Sequence, residues 1–202
     1  ERSAYLVVGT VLFAIAVVFS YQAFGHVQLR IDTWLNPWTD PRGNGYQLVQ
    51  SLFAFGSGGF QGSGLGLGHP NLIPVAATDF IFAAIGEELG LLGTIAVVIT
   101  IVLLVGSAFR IAIQAQRPFS KLFAAGLATI LGVQSFVIIG GVTRVIPLTG
   151  VTLPFVSYGG SSLVANFVIL ALLLRISDES AIEAAEEAEQ AARLRAVESL
   201  RA

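Results

Sequence analysis

The chain has 202 residues, of which 54% are hydrophobic and 12% charged, with a mean hydropathy of +0.78. Soluble domains carry about 25% charged residues, so the composition argues against an ordinary soluble enzyme. There is no cysteine and only two histidines, His26 and His69, which excludes disulfide scaffolds, thiol catalysis and Cys-ligated metals and makes a His-rich metal site improbable.

The net charge of −2 is unevenly spread. Residues 1–177 are net positive and residues 178–202 net negative, and no basic stripe interleaved with aromatics points to nucleic acid. Methionine is absent, so the sequence reads as part of a longer or processed chain.

In chain order, the first element is the apolar run Ala4–Ala23, bounded by Arg2 and Arg30. A bilayer span needs about 20 such residues. The run is too long for a signal-peptide core and has no basic leader. No residue is charged from Leu89 to Phe109, from Leu122 to Thr143 or from Val145 to Leu174. The predicted spans lie near 4–23, 80–109, 122–143 and 158–175. The fold class is therefore all-α: a polytopic helical membrane protein with four transmembrane helices and a long extracytoplasmic loop holding short interfacial or re-entrant helices. Arg110, Arg117 and Lys121 between spans two and three, with Arg2 and Arg175, place both termini in the cytoplasm. The loop 25–78 and the segment near 144–152 are then outside.

The outer loop is longer than a linker needs to be. The steps Asn36-Pro37 and Asp40-Pro41 bracket Trp38, and each proline denies its predecessor a helical conformation. Trp34 and Trp38 suit a membrane interface. Tyr46–Phe55 has the pattern of a short half-amphipathic helix. Residues 56–68 hold seven glycines and no lysine, which excludes a P-loop. Such a run serves close backbone packing or anion binding, and packing is the preferred reading. Thr78 or Asp79 is the expected N-cap of span two. Glu87 and Glu88, about two turns inside, read as a structural pair, with a functional role as the alternative. The stretch 144–162 is uncharged after Arg144 and rich in turn formers and hydroxyls, so it reads as a re-entrant cavity lining. After Ser177 the chain turns Ala/Glu/Arg-rich, a charged cytoplasmic helix or partly disordered tail over 178–202.

Three motifs now stand in order: Trp34-Leu-Asn-Pro-Trp-Thr-Asp40-Pro-Arg-Gly-Asn-Gly-Tyr46-Gln, Thr78-Asp-Phe-Ile-Phe-Ala-Ala-Ile-Gly-Glu-Glu-Leu-Gly90 and Leu153-Pro-Phe-Val-Ser-Tyr-Gly-Gly-Ser-Ser162. Together they resemble the shape, elongation, division and sporulation (SEDS) family of RodA and FtsW type, over residues 4–177. The resemblance implies about ten spans in the whole protein, of which these would be the C-terminal four. It implies polymerisation of peptidoglycan glycan strands from lipid II, beside a class B penicillin-binding protein, in the bacterial cell membrane. It also places the essential carboxylate at Asp40. One carboxylate acting as general base suffices, because a lipid pyrophosphate leaves without protonation. Asp32 is the nearest rival.

The candidate substrate-binding set comprises Arg30, Trp34, Trp38, Arg42, Tyr46, Gln47, Thr78, Asp79, Arg144, Ser157 and Ser161. Within it, Arg30, Arg42 or Arg144 would offset pyrophosphate charge. No cofactor is certain, no metal ligand is assigned, and a divalent cation is the one candidate. Lipid II, membrane lipids and the penicillin-binding protein are the expected partners. Two departures stand out: Thr149 replaces a lysine found in many division-type members, which leans toward the elongation branch, and Ala77 replaces a common histidine. The Asn36-Pro-Trp wording leans the other way. A lipid II flippase using the same cavity, a non-catalytic scaffold of the cell-wall machinery and a generic transporter are the alternative functions.

Overall fold

The computed structural model describes residues 2–199, with side chains over 4–190. Six α-helices account for most of the described chain: α1 (Arg2–Ala23), α2 (Gly25–Leu35), α3 (Tyr46–Gly58), α4 (Ile81–Gln114), α5 (Pro118–Val142) and α6 (Gly160–Ser199). Short 3₁₀ turns occupy Pro37–Thr39 and Pro70–Leu72. No strand occurs among the described residues. Four helices are long and apolar enough to cross a membrane: Ala4–Ala23, Ile81–Gln114, Pro118–Val142 and Gly160–Gln190.

The helices overlap the expected spans, starting one residue later at α4 and two later at α6 and ending one residue earlier at α5, while three other boundaries move outward for identifiable reasons. The helix expected from residue 122 begins at Pro118, whose fixed φ and missing N–H suit a first helical turn. The helix expected to end near 109 continues to Gln114 because nothing between them breaks it. The fourth helix runs unbroken from Gly160 through the expected tail. Its Ala/Glu/Arg sequence has neither glycine nor proline and high helix propensity. Arg175–Glu179 at 2.9 Å lies along this helix, and Arg117–Glu183 at 2.6 Å ties it to the α4–α5 turn. Residues 200–202 of the expected tail lie outside the described residues.

Neither Thr78 nor Asp79 caps α4. Phe80, fully buried, occupies the N-cap position, and Thr78 Oγ1 donates instead to the Val75 carbonyl. Burial of the Phe80 ring sets where the helix starts, overriding the local capping preference.

α4 is broken at Gly90, whose φ of 65° and ψ of −160° no L-residue adopts readily. The break frees backbone groups at membrane depth, where each unpaired one is costly. The glycine-rich loop satisfies them. Leu91 N–H donates to the Gly59 carbonyl at 2.9 Å, Gly64 N–H to Glu88 at 3.0 Å and Ser63 N–H to Glu87 at 2.9 Å. This approach leaves no room for side chains: a Cβ on Gly58 would overlap the Gly86 carbonyl. Gly58, Gly62 and Gly68 thus serve the preferred packing reading, whereas a Cβ on Gly56, Gly59 or Gly66 would meet nothing within 4 Å.

Two apolar clusters hold the bundle. One, rich in alanine, joins Ala108 and Ala112 of α4, Ala124 and Ala128 of α5, and Leu173 and Ile176 of α6. Small residues let membrane helices approach closely. The other centres on Phe80 and joins Ala54, Ile73, Phe82, Ile138, Val142 and Leu153. It underlies the end where α2, α3 and the segments 59–80 and 143–159 converge. α1 stands apart, with none of its apolar window buried, and meets the rest through α2.

Candidate active site

The site is built from the turn that follows α2. Asn36 (φ −144°, ψ 84°) and Asp40 (φ −137°, ψ 70°) both adopt non-helical conformations before their prolines, and Pro37 is buried between them. The chain then folds back on Asp40. Gly43 N–H donates to Asp40 Oδ1 at 3.0 Å, Asn44 N–H donates to Oδ2 at 2.9 Å, and Gly45 N–H reaches the Asp40 carbonyl at 3.0 Å. Both carboxylate oxygens are thus oriented by backbone, while the residue stays exposed. A Cβ on Gly43 would overlap that carboxylate, so the turn requires glycine there.

Two arginines staple α2 to the segment 143–159. Arg144 Nε donates to the Trp34 carbonyl at 2.8 Å and Nη2 to Leu35 at 2.6 Å, while Trp34 Nε1 donates back to the Arg144 carbonyl at 3.0 Å. A guanidinium on the last carbonyls of α2 also meets the negative end of the helix. Arg30 Nη1 donates to the carbonyls of Leu148 and Thr149 at 3.3 and 3.1 Å.

These staples close a cavity of about 190 Å³, walled by Leu29, Arg30, Thr33, Trp34, Asn44, Gln47, Leu48, Asp79, Leu148 and Gly150. Four of the expected substrate-binding residues therefore come together: Arg30, Trp34, Gln47 and Asp79. Asp40 stands outside the lining, linked to it through its hydrogen bond from Asn44. A Cβ on Gly150, at φ 72°, would sit 3.3 Å from Asp79 Oδ2, so glycine there keeps the space beside that carboxylate open. The Asp79 carboxylate has no hydrogen-bond or ion-pair partner among the described residues. Asp32 is exposed on α2 and does not line the cavity.

The other expected residues lie elsewhere. Arg42 is exposed and has no partner among the described residues. Trp38, half exposed, packs edge-on against Phe53 at 5.8 Å. Tyr46 donates its hydroxyl to the Leu72 carbonyl at 3.2 Å. Arg144 spends its guanidinium on α2. Ser161 is exposed beyond the cavity. Ser157 is 7% exposed, and its hydroxyl accepts from Leu153 N–H at 2.8 Å and donates to the Thr78 carbonyl at 2.5 Å. Its one hydroxyl hydrogen is used inside the fold.

Glu87 is buried and structural: its carboxylate accepts the His69 N–H at 3.1 Å and its carbonyl the Ser63 hydroxyl at 2.9 Å. No three His, Cys, Asp or Glu side chains gather into a metal-holding group among the described residues. The expected set did not include Leu29, Thr33, Asn44, Leu48, Leu148 or Gly150. Asn44 had a usable signal, since it sits inside the Asp40 turn. Gly150 had none, because only the fold sets it against Asp79.

Non-glycine residues with φ in the left-handed region are Val75, Arg144 and Phe155, all within the two segments that wall this site. Such strain persists only where surrounding contacts hold it, and it clusters at functional sites.

A family model described as cell cycle protein, covering FtsW, RodA and SpoVE, matches residues 2–182. The chain belongs to this FtsW/RodA/SpoVE family. Peptidoglycan glycosyltransferase RodA of Mycobacterium tuberculosis (strain ATCC 25618 / H37Rv) is 52% identical over 177 residues, covering 88% of this chain and 38% of the relative. The probable peptidoglycan glycosyltransferase FtsW of Geobacter metallireducens is 42% identical over 178 residues, covering 87% and 48%. Higher identity to RodA agrees with the elongation-branch lean drawn from Thr149. Among solved structures, a chain of a peptidoglycan synthase complex, solved for the coordination of polymerization and crosslinking, superposes with a TM-score of 0.70. It is 31% identical and covers 88% of this chain and 49% of that one. An aspartate-to-alanine mutant of Thermus thermophilus rod shape determining protein RodA gives a TM-score of 0.52 at 28% identity, covering 89% and 59%. This FtsW/RodA/SpoVE chain thus spans about two fifths to three fifths of the proteins it matches.

Proposed function

We propose that this chain carries the catalytic carboxylate of a peptidoglycan glycosyltransferase, and that the whole protein extends glycan strands from lipid II during cell elongation. The observation that carries the reading is the Asp40 turn. An exposed carboxylate, oriented by two backbone N–H groups, stands next to a cavity whose wall includes Arg30, Gln47 and Asp79 among apolar residues. A general base needs this combination of access and fixed direction.

In the reaction, Asp40 accepts the proton of the acceptor sugar hydroxyl. The hydroxyl oxygen bonds to the anomeric carbon of the donor, the bond from that carbon to the lipid pyrophosphate breaks, and its electron pair leaves with the pyrophosphate. The leaving group needs charge stabilisation rather than a proton. Arg42, two residues from Asp40 and unpartnered among the described residues, is the arginine free to do this; Arg30 on the cavity wall already donates to the Leu148 and Thr149 carbonyls. Trp34, Gln47 and Asp79 line the sugar side.

The Mycobacterium relative is named a peptidoglycan glycosyltransferase and the Geobacter relative a probable one, which supports the polymerase reading. The superposing synthase complex, solved for the coordination of polymerization and crosslinking, supports a class B penicillin-binding partner. The bases Arg110, Arg117 and Lys121 at the far end of α4 and α5 support an extracytoplasmic Asp40 and a cytoplasmic tail over 178–202. A flippase would use the same cavity without a base.

Asp40→Asn keeps the size but cannot take the proton, and its amide oxygen can accept only one of the two backbone N–H bonds. In the full-length protein with its penicillin-binding partner it should lower polymerisation of labelled lipid II by about 10²- to 10⁴-fold, or roughly 3–5 kcal/mol of barrier. Expression and partner binding should survive. Polymer at near wild-type rate from Asp40→Asn, seen on a product gel, would overturn the assignment.

A further inference from the structure

We propose that Ser157 is a positioning residue that aims Asp79 into the cavity, and does not touch substrate. This rests on the glycosyltransferase reading for its activity readout only. The Ser157 hydroxyl donates to the Thr78 carbonyl at 2.5 Å. That carbonyl belongs to the peptide plane whose nitrogen is Asp79 N. The N–H of the same plane donates to the Val75 carbonyl at 3.1 Å. Both faces of the Thr78–Asp79 peptide are therefore held, and its orientation sets where the Asp79 Cα–Cβ bond points.

The Asp79 side chain has no protein partner of its own among the described residues, so the backbone sets the Cα–Cβ direction from which its rotamers reach the cavity. One residue along, Tyr158 N–H donates to the Ala77 carbonyl at 2.8 Å, doubling the tie between the segments. The tie is anchored in turn. Ser157 Oγ accepts Leu153 N–H at 2.8 Å and its own N–H donates to the Leu153 carbonyl at 3.0 Å. Both bonds close a turn that contains Phe155 at φ 63° and Val75 at φ 52° faces it across the tie. These two strained residues on either side give the segments a reason to relax once the bond is cut. A second layer reaches α5 and α6, through Gln134 Nε2 to the Thr152 carbonyl at 2.9 Å and the Thr152–Ser162 hydroxyl pair at 2.6 Å.

Removing the Ser157 hydroxyl therefore releases the carbonyl edge of the Asp79 peptide plane, leaving it held by the Asp79 N–H bond to Val75 and the neighbouring Tyr158–Ala77 tie, with the helices in place. The test is a double-mutant cycle in the full-length protein with its penicillin-binding partner, using Ser157→Ala, Asp79→Ala and the pair, with lipid II as the probe. Ser157→Ala should raise KM about tenfold, the worth of one well-placed polar contact, with a smaller change in kcat. The pair should be no weaker than Asp79→Ala alone, since a residue acting through Asp79 has nothing left to aim. Hydrogen exchange over residues 75–80 and 153–160 should quicken in Ser157→Ala, and exchange in α5 should not. Ser157→Cys, which keeps the size and weakens the bond, enters the same cycle if Ser157→Ala does not fold. Multiplicative losses in the pair, or unchanged exchange in both segments, would overturn the proposal. If the wild-type protein makes no polymer, the glycosyltransferase reading fails and the exchange result alone decides the role of Ser157.

Discussion

Gly43 has no side chain because the Asp40 carboxylate occupies the space where one would stand. The consequence is a substitution that attacks the site without touching a functional group. Gly43→Ala must push the carboxylate off its two N–H donors, so it should cut lipid II polymerisation at least tenfold. The thermal midpoint in detergent should stay within a few degrees, since the turn is exposed and outside both apolar clusters. Wild-type polymerisation in Gly43→Ala would mean that the orientation of Asp40 is irrelevant to catalysis. At this scale the sequence was informative about residue type and silent about employment. Arg42 and Arg144 carry the same charge, one inside the first motif and the other nine residues ahead of the third. One is unpartnered among the described residues, and the other spends its guanidinium on the end of α2. Nothing local to either residue distinguishes them.

α3 and α4 meet through glycine, and the glycines in that contact are not equivalent. A Cβ on Gly58 would overlap the Gly86 carbonyl, whereas one on Gly56, two residues earlier on the same helix, would have nothing within 4 Å. Gly58→Ala must separate α3 from α4 and should destabilise by about 1–3 kcal/mol, the usual cost of overpacking. Gly56→Ala should be neutral or stabilising by up to about 1 kcal/mol, through helix propensity. Thermal unfolding of the purified full-length protein in detergent compares the two directly. Equal midpoints would remove the close-packing account of the glycine run. Composition announced that residues 56–68 pack tightly or bind something, but it could not say which glycines bear the contact. That depends on the break at Gly90, where freed backbone groups of α4 pair with the loop.

Across the whole molecule the helices separate two chemically different ends. One gathers Asp40, the cavity and the strained segments; the other gathers Arg117, Lys121 and the charged half of α6. If the basic end is cytoplasmic, cysteines at Arg42 and Gln116, introduced one at a time into this cysteine-free chain within the full-length protein, should label differently in intact cells. A membrane-impermeant thiol reagent should reach position 42 alone. Labelling at 116 alone would invert the topology and remove Asp40 from extracytoplasmic chemistry.

The number of spans, their rough limits and the candidacy of Asp40 were legible in the sequence by itself, whereas the composition of the charged tail fits a helix and partial disorder alike. Each depends on short-range physics: apolar runs matched to a bilayer, prolines that forbid helix to the residue before them, and helix formers without a breaker. The tertiary structure alone decided which polar residues share a cavity and which serve as staples. Trp34 and Arg144 exchange hydrogen bonds across 110 residues, Arg30 reaches Leu148 across 118, and Ser157 reaches Thr78 across 79. Such pairs leave no periodic trace, because a carbonyl accepts from any donor that the fold delivers. The start of α4 followed the same rule: burial of Phe80 outweighed the local capping preference of Thr78 and Asp79, because displacing a fully buried ring costs more than a missing cap restores.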